Sequence, residues 1–412
     1  RVKKIIGLTV EVEGIKAFVG ELCVIYNQVN KPVNCEVVGF KDKEVILMAL
    51  GELTLIAPGC KVISKGIPLS VMCSDNLLGK VLDGLGNPID NSDAVLGDRY
   101  NLNNEPPDPM KRKKIRNIME TGVRAIDAFT TCGEGQRIGI FAGSGVGKST
   151  TLGMIARNAK ADVNVIALIG ERGREVLDFI DKDLGEEGMK KSVVVCATSD
   201  KAPLVRLKGA LTATAIAEYF RDQGKKVILM MDSVTRFAMA QREVGVAIGE
   251  PPAQKGYTPS VFAMLPKLME RTGTSDKGSI TAFYTVLVDG DDFNEPIADT
   301  TRGILDGHIV LSRDLANKNH YPSIDVLNSL SRLMNEIASK EDIKIASFAR
   351  DMLAEYREAE DLINIGAYAS GTNKKIDEAI YYHEHIINFL KQGINEKSSF
   401  NETISSLRRV FE

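Results

Sequence analysis

Hydrophobic and polar positions alternate along the first part of the chain, in short runs that turn residues separate. LTVEV, ELCVIY, NCEVVGF, EVILMAL and CKVIS all occur before residue 72, with Gly, Pro, Asn and Lys between them. Alternation with a period of two indicates strands that bury one face, and many short strands at even spacing are typical of a barrel. We therefore predict a small N-terminal β-barrel over residues 1–72.

A different pattern begins near residue 115, where runs that are apolar at every position alternate with helical stretches. The apolar runs are IGIFA, VNVIALIG, SVVVCATS, KVILMMDS, SITAFYTVLV and GHIVLS, and the helical stretches include STTLGMIARNA, EVLDFIDKDL and PLVRLKGALTATAIAEYF. Strands buried on both faces and alternating with helices favour an α/β fold with a mostly parallel sheet. We predict this central domain over residues 73–321, entered through a Gly-, Asn- and Pro-rich linker over 73–114.

The strand pattern fades after residue 322. IDVLNSLSRLMNEIAS, IKIASFARDMLAEYREAEDLI and IDEAIYYHEHIINFLKQG carry apolar residues at the spacing of a helix face. The sequence therefore predicts a C-terminal helical domain over residues 322–412.

Composition excludes several classes of protein. Fifty-two basic and fifty-five acidic residues leave a net charge of −3, which gives no overall attraction to nucleic acid or to an anionic membrane. The apolar runs are far shorter than a membrane span, and the start RVKK is not followed by the apolar block of a signal peptide. We expect a cytoplasmic protein that binds no nucleic acid.

Three smaller features complete this picture. Because position 1 is Arg and not Met, we expect a preceding N-terminal segment. The basic run KRKK at 111–114 follows PPDP; a solvated interdomain linker is the favoured interpretation, and a binding patch is the alternative. The six cysteines form no CxxC pair and the four histidines lack the spacing of a zinc site, so we expect reduced thiols and no metal other than nucleotide-bound Mg²⁺.

The strongest chemical signal is AGSGVGKST at 142–150, a glycine-rich loop between an apolar strand and a helix. In such a loop the backbone N–H groups surround phosphate oxygens, Lys148 reaches the β and γ phosphates, and the Ser149 hydroxyl binds Mg²⁺. The helix that follows adds a favourable dipole. The predicted nucleotide-binding residues are Gly143, Ser144, Gly145, Val146, Gly147, Lys148, Ser149 and Thr150.

Two carboxylates follow other strands of the predicted sheet. Asp232 ends VILMMD, where it can hold the water shell of Mg²⁺, although a cap for the next helix is an alternative. Glu171 directly follows VNVIALIG and is the candidate base for the attacking water. The alternative is that Glu171 only pairs with Arg172 or Arg174 in GERGRE.

Taken in order, these motifs resemble the rotary ATPase family. LLGKVLDGLGNPID, the phosphate loop, GERGRE, VILMMD and PSIDVLNSLS recur over nearly the whole chain. DSVTRFAMAQREVGVAIGEPPAQKGYTPSVF, GDDFNEPIADTTRGILDGHIVLSR and HYPSIDVLNSLSR resemble the type III protein export ATPases more than the ATP synthase catalytic subunit. Small differences such as NEPIAD favour the flagellar members over the virulence-type injectisome members, which remain an alternative.

The resemblance implies roles for individual residues. Glu171 falls on the catalytic carboxylate, Lys148 and Ser149 on the phosphate and magnesium positions, and Asp232 on the acidic end of the second strand. Four further residues follow from the resemblance alone. Arg332 falls on an arginine finger that acts on the neighbouring subunit's ATP, Tyr321 on an aromatic that stacks on adenine, Tyr368 is a candidate second ring, and Arg172 approaches the γ phosphate.

The resemblance also implies a setting. It predicts a ring of six identical subunits that hydrolyses ATP to ADP at the inner face of the cell membrane, in an apparatus that exports proteins. The implied partners are a stator-like regulatory protein, a coiled-coil stalk, an export gate, and the export substrates with their chaperones. Two other functions remain possible at this point, namely a noncatalytic nucleotide-binding subunit of a rotary complex and a ring-shaped nucleic-acid translocase.

Overall fold

The N-terminal region is a six-stranded antiparallel barrel. The computed structural model describes residues 1–90, 92–288, 290 and 292–412, so Asp291 in the motif GDDFNEPIAD lies outside the described residues. The strand order is β1-β2-β5-β4-β3-β6, and backbone hydrogen bonds that join Val2 to Gly59 and Cys60 bring the two ends together. The strands are β1 (Val2–Ile6), β2 (Thr9–Val12), β3 (Glu21–Tyr26), β4 (Pro32–Lys41), β5 (Glu44–Ala49) and β6 (Lys61–Pro68).

The predicted linker contributes to the sheets on either side of it. Strand β7 (Ser70–Cys73) pairs with β9 (Asp98–Asn101), and β8 (Val81–Asp83) forms one edge of the central sheet beside a parallel neighbour. Residue 72 lies within β7, and the preceding Val71 packs into the core of the central sheet. The barrel and the central domain are therefore not separated by a sharp boundary at this residue. The domain limits at 72 and 321 stay predictions.

The central sheet has nine strands, and those in its interior are parallel. Its order is β19-β18-β12-β17-β15-β13-β14-β8, with β16 paired to β17. Strands β10 (Ile118–Met119) and β11 (Cys132–Gly133) form a separate small ribbon. The central strands are β12 (Arg137–Ala142), β13 (Val163–Ile169), β14 (Ser192–Ala197), β15 (Lys226–Asp232), β16 (Gly273–Thr274), β17 (Ser279–Leu287), β18 (Gly307–Leu311) and β19 (Leu330–Ser331).

Helices cover both faces of this sheet, which explains why its strands are apolar at every position. Along β13, Val165 and Ala167 pack into the core that contains α5, while Ile166 and Leu168 pack into the core that contains α2 and the C-terminal helices. The helices of this region are α1 (Arg124–Phe129), α2 (Lys148–Asn158), α3 (Gly173–Asp178), α4 (Gly185–Lys190), α5 (Pro203–Asp222), α6 (Val234–Ala247), α7 (Pro259–Glu270), α8 (Pro296–Ile304) and α9 (Arg313–Asn317).

The C-terminal region is helical from Met334 onward, in α10 (Met334–Ile337), α11 (Lys340–Asn364), α12 (Lys374–Leu390) and α13 (Phe400–Arg409). The helix predicted over IDVLNSLSRLMNEIAS is wrong for its first half. Residues 324–331 run beside the central sheet instead, and β19 pairs antiparallel with β18. None of the helices in the described part of the chain has the length and apolar content that a membrane crossing requires.

Candidate active site

The loop that follows β12 has the backbone geometry of a phosphate cradle. Gly145 and Gly147 have φ angles of 76° and 86°, a left-handed conformation that side chains with a Cβ rarely adopt. Gly147 is the N-cap of α2, so Lys148 is the first residue of an 11-residue helix. The free N–H groups and the positive end of the helix dipole therefore lie at this loop, which is the arrangement that binds polyphosphate.

Three predicted residues meet above the loop. The Lys148 ammonium donates hydrogen bonds to Asp232 Oδ1 at 2.5 Å and to Glu171 Oε1 at 3.3 Å. Asp232 ends β15 and Glu171 follows β13, and these strands are neighbours in the sheet. The carboxyl ends of parallel strands share one edge of a sheet, so distant parts of the sequence converge there.

Burial sets the charge balance of this cluster. The side chains of Lys148, Glu171 and Asp232 are only 13%, 15% and 5% exposed. Burial opposes the ammonium charge, but the Asp232 and Glu171 carboxylates raise the pKa of Lys148 above its ordinary value. Burial and repulsion from Asp232 raise the pKa of Glu171 to about 7, against the attraction of Lys148. A carboxyl group with such a pKa exchanges protons near neutral pH, which suits a general base.

The arginines of GERGRE do not hold Glu171. Arg172 lies 3.9 Å from Glu175 and Arg174 lies 3.6 Å from Asp178, and both arginine side chains are exposed. Because Glu171 pairs with Lys148, the alternative in which it only pairs with Arg172 or Arg174 is wrong. Arg172 is the N-cap of α3 and stands in solvent at the rim of the cluster.

The residues present fit a magnesium ion bound with a nucleotide. Ser149 lies in the first turn of α2 and is partly exposed, while Thr150 contacts Asp183 from the same turn. No group of three or more carboxylate, His or Cys ligands occurs among the described residues. Mg²⁺ in nucleotide sites needs only one or two protein oxygens, since phosphates and water complete its shell. The Ser149 hydroxyl and the Asp232 carboxylate supply oxygens of that kind.

Tyr321 lies directly against the phosphate loop. A Cβ placed on Gly147 would be 3.5 Å from the Tyr321 ring, and the neighbouring Ser323 hydroxyl donates to the Val146 carbonyl at 2.5 Å. Tyr321 precedes a cis peptide bond to Pro322 and is 42% exposed. A half-exposed ring beside the phosphate loop offers a flat surface for a nucleotide base.

Tyr368 forms its hydrogen bonds within the C-terminal helical region. The Tyr368 hydroxyl lies 2.9 Å from Asn373 O and 3.0 Å from Asp377 Oδ1, either of which can accept its one proton, and this contact ties its loop to the start of α12. No contact between Tyr368 and Tyr321 is found in the described part of the chain. Its assignment as a second adenine ring stays a prediction.

Arg332 lies at the opposite end of the sheet from the phosphate loop of its own chain. It follows β19, which pairs with Gly307 and His308 at the start of β18, whereas the loop follows Ala142, which pairs with Leu311 at the end of β18. Four residues of strand separate these levels by about 13 Å along the strand. The Arg332 side chain is exposed and donates to the Arg302 carbonyl at 3.3 Å.

Two further residues of the cluster were missed by sequence reasoning. Thr285 lies on β17, between β12 and β15, and its hydroxyl donates to Asp232 Oδ1 at 2.7 Å. Arg236 in α6 packs so closely on Gly170 that a Cβ there would lie 2.8 Å from the Arg236 side chain. Its buried Nε has no acceptor among the described residues. Arg236 comes four residues after Asp232, a spacing that could have indicated it; nothing in the sequence marks Thr285.

Comparison with protein families divides the chain into three matches. The nucleotide-binding domain of the ATP synthase alpha/beta family matches residues 122–331, and the beta-barrel domain of that family matches 2–66. The T3SS EscN ATPase C-terminal domain matches residues 338–409. The three matches together confirm the predicted fold class.

Individual relatives agree over almost the full chain. A flagellum-specific ATP synthase of Bacillus subtilis is 56% identical over 99% of this chain and 94% of its own length. A type 3 secretion system ATPase of Xanthomonas euvesicatoria is 49% identical over 100% and 93%. The structure of the assembled ATPase EscN from enteropathogenic E. coli superposes with a TM-score of 0.95 at 46% identity, covering 100% of this chain and 99% of EscN. The chain belongs to the ATP synthase alpha/beta family, in the branch of the flagellum-specific and type III secretion ATPases.

Proposed function

We propose that the chain hydrolyses ATP, with Glu171 as the base for the attacking water and Lys148 bound to the β and γ phosphates. The observation that carries this proposal is the convergence of Lys148, Glu171 and Asp232 beside a phosphate loop. Lys148 holds two carboxylates that an incoming polyphosphate would replace as its partners. Release of Glu171 from Lys148 leaves its carboxylate available to orient and deprotonate water.

Mg²⁺ would be held by the Ser149 hydroxyl and, through water, by Asp232. When bound with ATP, the ion neutralises charge on the β and γ phosphates. Thr285 fixes the Asp232 carboxylate by a hydrogen bond, so that carboxylate keeps one orientation at the end of β15. Arg236 adds positive charge near Glu171, and the Tyr321 ring supports the adenine.

The site becomes complete in a ring. Arg332 cannot reach the phosphate loop of its own chain, but it stands exposed on the edge of the sheet, where a neighbouring subunit can receive it. EscN, which is 46% identical, is described as an assembled ATPase. We infer a homohexamer in which Arg332 stabilises the γ phosphate bound by the next subunit. We also propose that Arg172, which is exposed and directly follows Glu171, approaches the γ phosphate.

The work done by hydrolysis is protein export in the flagellar type III apparatus. Flagellum-specific relatives of Bacillus subtilis and Treponema pallidum reach 56% and 53% identity, against 45–51% for type III secretion ATPases, and these two relatives support the flagellar assignment. Other flagellum-specific relatives lie between 45% and 51%. An EscN structure at 45% identity contains a central stalk, EscO, which supports a coiled-coil stalk partner here. A stator-like protein, an export gate, substrates and chaperones complete the proposed cytoplasmic complex at the membrane. Restored motility in a strain that lacks its own flagellar ATPase would test this assignment; restored injectisome secretion alone would contradict it.

Glu171→Gln tests the chemistry. We expect this variant to bind ATP but to turn it over at least about 10²-fold more slowly, because the amide cannot accept a proton. Glu187→Gln is the matched control, since Glu187 is exposed on α4 and pairs with the exposed Lys190, and it should keep normal turnover. Unchanged turnover in Glu171→Gln would remove Glu171 from the mechanism and favour a binding-only subunit. A salt-sensitive rise in turnover on addition of RNA would favour a translocase instead.

A further inference from the structure

A second cavity lies behind the nucleotide site, where the central domain meets the C-terminal helices. It has a volume of about 200 Å³, opens to solvent, and is lined by the segment 315–327, α11, α12 and Lys391. Its walls are largely apolar, with Leu315, Ile324, Leu353, Ile387 and Leu390 among them. A cavity of roughly 150 Å³ already admits a benzene-sized molecule, so this one has room for a small organic ligand.

One polar side chain in the wall lacks a partner. His320 is 3% exposed, and its Nε2 is buried with no hydrogen-bond partner among the described residues. Burial, together with the positive charge of Lys391, lowers the pKa of His320 to about 4. Buried polar atoms are nearly always hydrogen-bonded in folded proteins. An unmet ring nitrogen therefore points to a group that enters the cavity.

Five charged side chains line the cavity, and four of them form two ion pairs with each other. Lys318 pairs with Glu360 at 3.2 Å and Arg357 pairs with Asp325 at 3.1 Å. The fifth charged residue of the wall, Lys391, makes no ion pair in the described part of the chain. His383, the second histidine of the wall, is stacked on the Tyr356 ring with centroids 3.5 Å apart. The cavity thus combines an apolar interior with one uncompensated positive charge.

We propose that this cavity is a regulatory site for a small organic anion with an apolar body, of the aromatic carboxylate class. The carboxylate would meet the Lys391 ammonium and accept a hydrogen bond from His320 Nε2, while the ring lies against Leu353 and Ile387. An apolar pocket with a few convergent polar groups is the usual form of a small-molecule site. The proposal concerns a site separate from the phosphate loop.

Occupancy of the cavity would be felt at the nucleotide site. His320 directly precedes Tyr321, and Lys391 directly precedes Gln392, whose N–H donates to the Tyr321 carbonyl at 3.0 Å. The two residues that would hold the anion, His320 and Lys391, are therefore the sequence neighbours of Tyr321 and Gln392. The hydrogen bond between Tyr321 and Gln392 helps to position the Tyr321 ring. The ligand would change the affinity for ATP without touching the phosphates.

Binding is tested with benzoate as the probe and neutral benzamide as its isostere, by saturation-transfer NMR on the full chain in excess ADP. We expect benzoate to bind at least about fivefold more tightly than benzamide, as one charge-assisted hydrogen bond would give. Lys391→Met and His320→Leu should each remove that preference. Lys374→Met, an exposed change at the opposite end of α12 from Lys391, should keep it.

Three results would overturn the site. They are no benzoate binding, a benzoate preference that survives in Lys391→Met, or displacement of benzoate by ADP, which would place the anion at the phosphate loop. If His320→Leu does not fold, Lys391→Met alone decides, because its side chain is at the surface. Coupling is tested by the KM for ATP, which saturating benzoate should shift at least about twofold in wild type and not in Lys391→Met; an unchanged KM in wild type would refute the regulatory role.

Discussion

At the scale of single residues, Gly147 joins the phosphate loop to the adenine side of the site. Its φ of 86° is strained for any residue with a Cβ, and the Tyr321 ring lies 3.5 Å from where that Cβ would be. Gly147→Ala should therefore cost roughly 1–2 kcal/mol of stability. It should also weaken ATP binding by about tenfold or more, because relief of the strained φ would shift the backbone N–H groups of the phosphate cradle. Thermal unfolding and nucleotide titration measure the two effects.

Gly59 provides the control for that prediction. It has a similar φ of 89° in a barrel turn, with nothing within 4 Å of the added Cβ. Gly59→Ala should lose comparable stability yet bind ATP normally. If both variants bind ATP equally well, the left-handed backbone at Gly147 has no part in nucleotide binding.

His320 should make the stability of the folded chain decrease as the pH falls. Its pKa falls to about 4 in the folded state, against about 6.5 when unfolded. Below pH 6.5 the unfolded chain takes up a proton that the folded chain refuses, so stability is lost between about pH 6.5 and pH 4. The loss amounts to roughly 3 kcal/mol. His320→Leu should flatten this part of the curve of melting temperature against pH, while His385→Gln, an exposed change, should leave it; equal curves for wild type and His320→Leu would contradict the buried neutral state.

Sequence could identify the residues that belong to a contiguous motif. Lys148 and Ser149 are fixed by the loop pattern, and Glu171 and Asp232 by their positions directly after apolar strands. Thr285 was beyond reach, because a lone Thr in a buried strand carries no signal until the strand order places β17 beside Asp232. Likewise, the unpartnered His320 emerges only from the packing of helices that lie far from it in sequence.

At the scale of elements, helix α2 packs closely against the segment that joins α3 to α4, and this contact fixes its position. The stretch EVLDFIDKDL, predicted as one helix, is α3 followed by a π-helical turn over Phe179–Leu184. Gly153 of α2 packs against that turn, and a Cβ there would lie 2.6 Å from the Asp183 carbonyl oxygen. Gly153→Ala should therefore lower the melting temperature although Ala favours helices by about 1 kcal/mol.

Gly303 tests that argument in the opposite direction. It lies within α8 with open space around the position of a Cβ. Gly303→Ala should raise the melting temperature slightly, through helix propensity alone. If Gly153→Ala is stabilised to the same degree, the turn must move freely and does not fix α2.

Element types were predictable where the apolar pattern is long, and failed where pairing with remote strands decides. The strands β12, β13, β15 and β17 follow their apolar runs. Residues 324–331 carry helical spacing but extend along the sheet, where the Arg332 N–H donates to the Asp306 carbonyl at 3.0 Å. Such hydrogen bonds depend on a partner strand, which local periodicity does not reveal. Strand β8 was not predicted for the same reason. It lies in the segment interpreted as a linker, and it becomes an edge strand only by pairing with β14.

At the scale of the whole molecule, the proposed function assigns the two ends of the central sheet to two different catalytic sites. The phosphate loop with Glu171 lies at the carboxyl end of the sheet, and Arg332 lies at the start of β18, on the edge strand. The periodicity of one sequence cannot predict that a catalytic site is shared between two subunits, because it reflects only how each chain folds. In the proposed ring, Arg332 acts only on ATP that a neighbouring subunit binds.

Mixing of two inactive variants tests this division. Arg332→Ala should bind ATP almost normally and hydrolyse it about 10³-fold more slowly, because a finger acts mainly on charge in the transition state. Lys148→Ala should fail to bind ATP productively. In mixed rings, an intact Lys148 site of one variant meets an intact Arg332 of the other, so ATPase activity should partly return. A double variant with both changes offers no Arg332 to its neighbour, and mixed with Arg332→Ala it should restore nothing. If the first mixture stays as inactive as the second at every ratio, Arg332 does not act across the subunit boundary.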